Sequence, residues 1–174
     1  MICIIGESGS GKSTVEEILC DKFGFEKVVS YTTRPMRQGE VDGKAYHFIT
    51  EEEFKKLESE NFFVETTVFR DWHYGAAKQD CVDNSVFVIE PIGLRKLIEQ
   101  SEELNLSLKI FYIITNERVR MMRMCKRGDD ADEIIRRIQA DRETFKGAKD
   151  LATVTLDGEL HPTALALKIV KHCI

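Results

Sequence analysis

Residues 6–13 read Gly-Glu-Ser-Gly-Ser-Gly-Lys-Ser, a phosphate-binding loop of the form G-x-x-x-x-G-K-[ST]. Glycines let the backbone close around a polyphosphate with its N–H groups pointing inward, and the next helix adds its positive N-terminal end. Lys12 can reach the terminal phosphates, and the Ser13 hydroxyl can bind Mg²⁺. We therefore expect this loop to bind ATP through residues Gly6, Glu7, Ser8, Gly9, Ser10, Gly11, Lys12, Ser13 and Thr14.

The alternative, an ordinary Gly/Ser turn, is weighed by what flanks the loop. An apolar, strand-like run precedes it at residues 2–5, and a helical pattern follows at residues 12–23. This strand–loop–helix context is what the motif requires. It favours a nucleotide-binding loop over a simple turn.

The rest of the chain mostly continues this alternation. Further strand-like runs lie at residues 25–30, 86–89, 108–114 and 151–156, and helical patterns lie at 92–100, 116–127, 132–146 and 162–172. Strands that alternate with helices predict an α/β fold of three layers, with a central parallel sheet covered on both faces. Ligands of such sheets bind beyond the carboxyl ends of the strands, where residues 6–13 would lie.

Residues 31–80 interrupt the alternation. They contain a polar loop, a short strand at 46–49, a helix opened by the Thr50-x-x-Glu53 capping box and an aromatic, β-branched run at 62–69. This composition predicts a small strand-rich insertion that holds the second substrate. We expect one domain, with its core at 1–30, 81–115 and 148–174, the insertion at 31–80 and a helical lid at about 116–147.

The lid prediction depends on a cluster of charge. Residues 118–127 carry five basic residues and no acidic one, and an acidic loop follows directly. A solvated helix face with salt bridges is the usual explanation of such a pattern. In a phosphate-handling protein, the same block can form a lid that brings arginines to the transferring group.

Composition restricts the class of protein. The 174 residues are 43% hydrophobic and 32% charged with a net charge of −5, which is typical of a soluble globular protein and not of a general nucleic-acid or membrane-surface binder. No apolar run is long enough to span a membrane, and no signal peptide is evident. The five cysteines and four histidines show no metal-ligand spacing. We expect a cytoplasmic monomer or homodimer.

Residues 30–48 suggest a second anion site. Arg34 and Arg37 flank Pro35, and Tyr46 follows on a predicted strand. Two guanidinium groups and a phenol can bind a phosphate dianion, since arginine binds it in bidentate fashion. From these residues alone, a charged surface turn is an equally good interpretation.

The chain closely resembles the guanylate kinases over nearly its whole length. The resemblance rests on the phosphate loop, on the specific stretch S-x-T-T-R-x-x-R-x-G-E-x-[DN]-G-x-x-Y-x-F, on the later F-x-E…F…Y-G residues and on R-x-x-x-R near residue 127. It implies a P-loop kinase that uses ATP and Mg²⁺ to convert GMP, and also dGMP, into the diphosphate. It implies that Arg34, Arg37, Tyr46 and Tyr74 hold the GMP phosphate, that Ser30 and Glu65 read guanine, and that Arg123, Arg127 and Arg137 meet the ATP phosphates.

Two carboxylates have chemistry that suits these roles. Glu65 is the only charge in residues 62–69, and it can accept from guanine N1–H and the 2-amino group together. Adenine offers no such pair of donors, so it would leave the charge unpaired. The alternative is an outward-facing strand residue. Glu90 follows the run 86–89, where it can support the metal or GMP, or simply terminate the strand.

The sequence departs from the family pattern at three places. Ala76 replaces a hydroxyl residue, Val88-Ile-Glu90 replaces D-x-D, and residues 154–157 lack the asparagine often found beside adenine. These changes leave two alternatives open: an inactive interaction module, or a kinase of a phosphorylated sugar. The intact Lys12 and the arginine set argue against the first, and Ser30, Tyr46 and Glu65 argue against the second.

Overall fold

A five-stranded parallel sheet forms the centre of the protein in the computed structural model, which describes residues 1–37, 39–69 and 71–173. Its strands, in spatial order, are β2 (Glu26–Lys27), β7 (Ser85–Val88), β1 (Ile2–Ile5), β8 (Lys109–Ile114) and β9 (Val154–Asp157). All four neighbouring pairs are parallel, with Ile2 opposite both Val86 and Lys109. This confirms the predicted α/β fold.

Helices cover both faces of this sheet. They are α1 (Lys12–Phe23) and α6 (Pro162–Lys171) on one face and α3 (Pro91–Ser101) on the other. Two further helices, α4 (Glu117–Arg127) and α5 (Ala131–Thr144), pack against each other in a separate apolar cluster. Every residue of β1 is buried, and its side chains alternate between the two faces. Ile2 and Ile4 pack with Val15 and Leu19 of α1, whereas Cys3 and Ile5 belong to the core that contains α3. Because β1 is buried on both faces, its end, which leads into residues 6–13, is firmly fixed.

A second, four-stranded sheet lies within the predicted insertion. Its order is β4 (His47–Phe48), β3 (Tyr31–Thr32), β6 (Trp72–Ala77) and β5 (Phe63–Phe69), and α2 (Glu51–Ser59) packs beside it through the buried Phe54. The predicted capping box is present: the Thr50 side chain accepts from the Glu53 amide, and Glu53 accepts from the Thr50 amide. The strand-rich character of residues 31–80 is therefore confirmed.

Two predicted strands are shorter than their apolar patterns. Residues 25–30 pair only at Glu26–Lys27, directly after Gly24 ends α1 with a φ of 72°. Leu151 ends a short 3₁₀ turn, Ala148–Leu151, and packs on the core from there, so its apolar character reflects burial and not strand pairing. Among the described residues, no helix has the length and apolarity that crossing a bilayer demands.

Candidate nucleotide-binding site

The loop of residues 6–13 connects the end of β1 to the start of α1. Gly9 and Gly11 take left-handed conformations, with φ of 77° and 100°, which residues with a side chain rarely adopt. Within the described residues, the amides of Gly9, Gly11, Lys12, Ser13 and Thr14 have no hydrogen-bond acceptor. Five free N–H groups at a helix N-terminus form an anion-binding site.

Lys12 and Ser13 lie at the centre of this loop. The Lys12 ammonium donates to the carbonyl oxygens of Gly6 and, at 3.1 Å, of Glu7. Burial lowers the pKa of Lys12, and the carboxylates of Glu90, Asp141 and Glu7 oppose that shift. The Ser13 residue is exposed and lines the adjoining cleft. The loop therefore combines a cation, a hydroxyl and backbone amides without acceptors among the described residues, and Ser8 and Ser13 bring it to the edge of the cleft.

The cleft, of about 590 Å³, lies between the loop, the second sheet and the helices α4 and α5. This volume is in the range of small-molecule sites. Its lining brings together most of the residues predicted to bind the two substrates: Ser8, Ser13, Ser30, Arg34, Arg37, Tyr46, Glu65, Tyr74, Glu90, Arg127 and Arg137.

Arg34 is fixed in the wall of the cleft. It is only 7% exposed, and its guanidinium donates to Pro35 O at 2.8 Å and to Glu40 Oε1 at 2.7 Å. The same group lies 5.5 Å from the ring centroids of Tyr46 and Phe48. The Tyr46 and Tyr74 rings are 5.8 Å apart. These contacts rule out a loosely solvated turn at Arg34.

Glu40 was missed as a site residue by the sequence analysis. Its Oε1 accepts from Arg34, and its Oε2 accepts from the backbone N–H of Arg37 at 2.7 Å. The hydrogen bond from Arg34 lowers the pKa of Glu40. Arg37 itself is exposed at the mouth of the cleft. In the sequence, the position of Glu40 three residues after Arg37 was the signal that could have identified it.

Glu65 is buried, so the interpretation as an outward-facing strand residue is wrong. A register shift between Phe63 and Glu65 interrupts the alternation of β5, and Phe63, Val64 and Glu65 are all buried in succession. Glu65 is 7% exposed, and its Oε2 has no hydrogen-bond partner among the described residues. A buried acceptor without a partner is costly, and it indicates a place for a ligand donor.

The surroundings of Glu65 change its acidity. Burial raises the pKa of Glu65 to about 7, although Lys96 and a hydrogen bond from the Ala76 amide act in the opposite direction. Gly93 of α3 leaves room for the carboxylate, because a Cβ at that position would lie 2.8 Å from Glu65 Oε2. Glu65 is thus a carboxyl group that can gain or lose a proton near neutral pH.

Glu90 lies where β7 ends and α3 begins, and its side chain reaches the cleft. Burial by the walls of the cleft raises the pKa of the Glu90 carboxyl, and the charge on Lys12 opposes this shift. The residue as a whole is nevertheless exposed to water. It makes no cap hydrogen bond to α3. Glu90 therefore faces the cleft and not only the end of its strand.

The predicted lid arginines do not share one location. Arg127 donates to Asp129 Oδ1 at 2.9 Å, Arg137 donates to Glu133 Oε1 at 2.9 Å, and both arginines line the cleft. Arg123 does not line it. Its guanidinium donates to Gly9 O and Ser10 O of the loop, at 3.4 and 3.2 Å, and to Gly158 O at 2.8 Å.

Comparison with known proteins decides the family. The family model described as guanylate kinase matches residues 1–167. The chain belongs to the guanylate kinase family. Guanylate kinase from Aster yellows witches'-broom phytoplasma is 33% identical over 169 residues, covering 92% of this chain and 79% of that protein. Guanylate kinase from Caldanaerobacter subterraneus is 34% identical over 145 residues, covering 80% of this chain and 70% of that protein.

A solved structure agrees with this fold. The crystal structure of guanylate kinase from Anaplasma phagocytophilum superimposes with a TM-score of 0.67, covering 99% of this chain and 83% of that one, at 21% sequence identity. Guanylate kinases are nucleoside monophosphate kinases, ATP:GMP phosphotransferases, and the resemblance found in the sequence is confirmed.

Three further residues of this guanylate kinase family member border the site without having been predicted. Arg136 lines the cleft and pairs with Glu133 at 2.7 Å, and Asp141 and Thr144 of α5 line it as well. In the sequence, only the position of Arg136 next to the predicted Arg137 indicated that it could belong to the site. Nothing in the sequence marks Asp141, because its partners are distant in the chain.

Proposed function

We propose that this protein transfers the γ-phosphoryl group of ATP to GMP, and to dGMP, in the cleft between the loop of residues 6–13 and the second sheet. One observation carries the proposal. A single cleft adjoins backbone amides suited to a triphosphate at one end and, at the other, a buried carboxylate suited to guanine, whose Oε2 has no partner among the described residues. We assign the donor site to residues 6–14, the acceptor lobe to residues 31–80 and the lid to about 116–147, within one domain.

The donor end holds ATP by backbone geometry. The amides of Gly9 and of residues 11–14, which have no acceptor among the described residues, bind the phosphates, and Lys12 exchanges its carbonyl partners for phosphate oxygens. Because the lysine already lies at the loop, little reorganisation accompanies this exchange. A preorganised cation is the main device by which such sites stabilise developing charge.

Ser13 is the residue suited to Mg²⁺. Its hydroxyl is a hard oxygen ligand on the cleft side of the loop, and Glu90 lines the same cleft. In the part of the chain that the structure describes, no three His, Cys, Asp or Glu side chains are grouped as a metal cage. Ser13, ATP phosphates and water would therefore hold the ion, and Mg²⁺ would neutralise phosphate charge.

The acceptor phosphate is assigned to the arginine–tyrosine cluster. Arg34 is preorganised by Glu40 and by two aromatic rings, and Arg37 is exposed and free to move onto the phosphate. The hydroxyls of Tyr46 and Tyr74 complete the site. Two guanidinium groups on one side of the cleft can bind the phosphate dianion in bidentate fashion.

Glu65 and Ser30 are assigned to the base. An ionised Glu65 accepts from N1–H and the 2-amino group of guanine, which gives Oε2 the partner it lacks. Adenine would leave that acceptor unpaired in a buried place, and a site of this kind strongly rejects an analogue that lacks the donors. Ser30 lines the same cleft and can donate or accept at the base edge.

Phosphoryl transfer needs no protein nucleophile. An oxygen of the GMP phosphate attacks the γ-phosphorus as the bond to the ADP oxygen breaks, and catalysis consists of alignment and charge neutralisation. Arg127 and Arg137 already line the cleft for this purpose. Arg123 would have to release the carbonyls of Gly9 and Ser10 before it could contact a phosphate.

All five cysteines are free thiols, which suits a reducing, cytoplasmic compartment, and we propose that location. The assembly that we propose is a monomer or homodimer. The chemistry proposed for the cleft depends neither on the compartment nor on the assembly.

Parallel assays of ATP consumption test the function. GMP, dGMP, AMP and ribose 5-phosphate are offered separately to the wild-type protein with Mg²⁺. We expect turnover with GMP and dGMP that exceeds turnover with AMP by a large factor. Preference for ribose 5-phosphate would instead identify a sugar-phosphate kinase, and no turnover with any acceptor would identify an inactive module.

A further inference from the structure

One buried ion pair binds every polar group of Ser8 in the phosphate loop. The Ser8 amide donates to Asp141 Oδ2 at 2.8 Å, and its hydroxyl donates to Asp141 Oδ1 at 3.2 Å. The Ser8 carbonyl accepts from Arg120 Nη1 at 3.3 Å. Arg120 Nη1 and Asp141 Oδ2 are themselves 3.0 Å apart. Ser8 is therefore held from both sides of its peptide backbone.

The two charged residues come from the lid helices and not from the loop. Arg120 belongs to α4 and Asp141 to α5, and their side chains are only 5% and 11% exposed. A second, exposed pair joins the same helices, with Arg142 Nη2 2.9 Å from Glu117 Oε1. The position of Ser8 is thus coupled to the junction of α4 and α5.

The backbone of α4 also lies against the loop. A Cβ on Gly9 would come within 2.7 Å of the Arg120 carbonyl oxygen, so no larger residue fits there without movement. Because the Ser8 amide is already bound to Asp141, the amides left for phosphate begin at Gly9. The ion pair consequently sets the boundary between the anchored part of the loop and the part that binds ATP.

Stability alone does not account for such a pair. Replacing a buried ion pair by apolar residues of similar volume is often neutral or stabilising, since removing two charges from water is costly. In this protein, the charged pair instead holds a loop whose backbone amides must keep a fixed geometry. A preorganised loop avoids reorganisation when phosphate binds and aligns the γ-phosphoryl group.

We propose that Arg120 and Asp141 are positioning residues for ATP, which fix Ser8 so that the amides from Gly9 onward keep the shape that the phosphates require. The inference rests on the proposed function, because it takes ATP as the ligand of the loop. It assigns neither residue a contact with GMP.

Two variants separate positioning from packing. Asp141→Asn keeps the volume and removes the negative charge, and the double variant Arg120→Leu/Asp141→Leu replaces the pair by an apolar contact. For each, the melting temperature Tm, kcat and the KM values for ATP and GMP are measured. We expect KM for ATP to rise roughly tenfold or more in both variants, with KM for GMP changed less than about twofold. We expect the double variant to regain most of any loss in Tm.

Glu16→Gln is the matched control. Glu16 is a buried carboxylate, 3% exposed, whose partner Lys27 lies 3.2 Å away and outside the cleft. Its loss should lower Tm without selectively raising KM for ATP. An effect on ATP as large as that of Asp141→Asn would show that any buried carboxylate has this influence, and would overturn the proposal.

Other outcomes also decide the question. A folded Asp141→Asn protein with unchanged KM for ATP, or equal rises in both KM values, would overturn the proposal. If neither variant folds, Ser8→Ala decides, because it removes only the hydroxyl bond to Asp141: a selective rise of about threefold in KM for ATP supports the proposal, and no rise overturns it. Absence of GMP-dependent turnover in the wild-type protein would instead contradict the proposed function.

Discussion

The two ends of the cleft recognise anions by different means. At the loop of residues 6–13, the binding groups are backbone amides, and side chains such as Arg120, Asp141 and Arg123 hold the loop by hydrogen bonds to its backbone. In the second sheet, the binding groups are side chains: Arg34 is held by Glu40, and Glu65 is buried with no partner for its Oε2 in the part of the chain that the structure describes. The first end suits any triphosphate, whereas the second can select a base.

Because of this difference, the two ends of the cleft respond differently to pH. Backbone amides at a helix N-terminus do not titrate, so the loop offers the same donors at any physiological pH. Glu65 has its pKa raised by burial to about 7, so the base site changes its charge near neutrality. We therefore expect mutations and pH to separate affinity for the phosphates from choice of the base.

The largest effect is expected at the donor end. Lys12→Ala should lower kcat at least about a hundredfold, because it removes a main electrostatic stabiliser of the transferring phosphoryl group. The fold should persist, since Lys12 donates only to carbonyls of its own loop. Steady-state kinetics with circular dichroism check this, and Lys22→Ala, at the exposed end of α1, serves as the control. Near-normal activity of a folded Lys12→Ala protein would exclude the kinase assignment.

Arg34→Ala should have the next largest effect, and it should not depend on the base. Loss of a charged hydrogen-bond donor predicts that kcat/KM falls roughly ten- to a hundredfold for GMP and for AMP alike, since both carry the same phosphate. Arg95→Ala, on the exposed face of α3, is the matched control. A change in the GMP-to-AMP ratio would place Arg34 at the base and would contradict the division between phosphate and base sites.

A pH series tests Glu65 without mutation. Because the carboxyl is protonated below its raised pKa of about 7, the ratio of kcat/KM for GMP to that for AMP should rise as pH increases from 5.5 to 8. Taking the ratio removes the titration of the phosphate, which the two substrates share. Below pH 7 the slope approaches about tenfold per unit if the ionised form alone selects guanine. A flat ratio would show that ionisation of Glu65 does not control selection.

The smallest effect concerns the lid. Arg120 and Arg123 attach α4 to the loop, so residues 117–126 should be protected from hydrogen exchange with or without ligand. Residues 127–137 carry clustered charge at the cleft and should gain protection with an ATP/GMP bisubstrate analogue. Equal protection of residues 118–147 in both states would argue against a lid.

The sequence predicted the donor end more fully than the acceptor end. A contiguous motif with strand and helix on either side specifies loop, amides and lysine together, since all of them are local in the chain. Burial of Glu65 depends on an irregularity in β5 and on space beside Gly93, neither of which leaves a periodic signal. Only the resemblance to guanylate kinases pointed to Glu65 as a base reader.

Contacts between residues that are far apart in the chain could not be predicted from the sequence. Ser8 and Asp141 are separated by 133 positions, and Arg120 and Asp141 by 21, so no spacing rule relates them. The basic block at residues 118–127 was interpreted as either a solvated helix face or a lid that brings arginines to the transferring group, but its members have different partners. Arg120 is buried against Asp141, Arg123 binds the loop, and Arg127 faces the cleft. Spacings of three, four and seven place these arginines on one side of α4, so the tertiary contacts along the helix, and not the helical period, separate their roles.

Replacing Glu65 with Gln is the sharpest test of whether this carboxylate selects guanine. The substitution keeps the shape but turns one acceptor into a donor that faces a donor on guanine, at a cost of roughly 1–3 kcal/mol or more. The measurement is the ratio of kcat/KM for GMP to that for AMP in the variant and in the wild-type protein. We expect kcat/KM for GMP to fall at least about tenfold and the ratio to fall with it, because the Gln side chain no longer penalises AMP. An unchanged ratio would make Glu65 an ordinary strand residue and would contradict the assignment of guanine to this site.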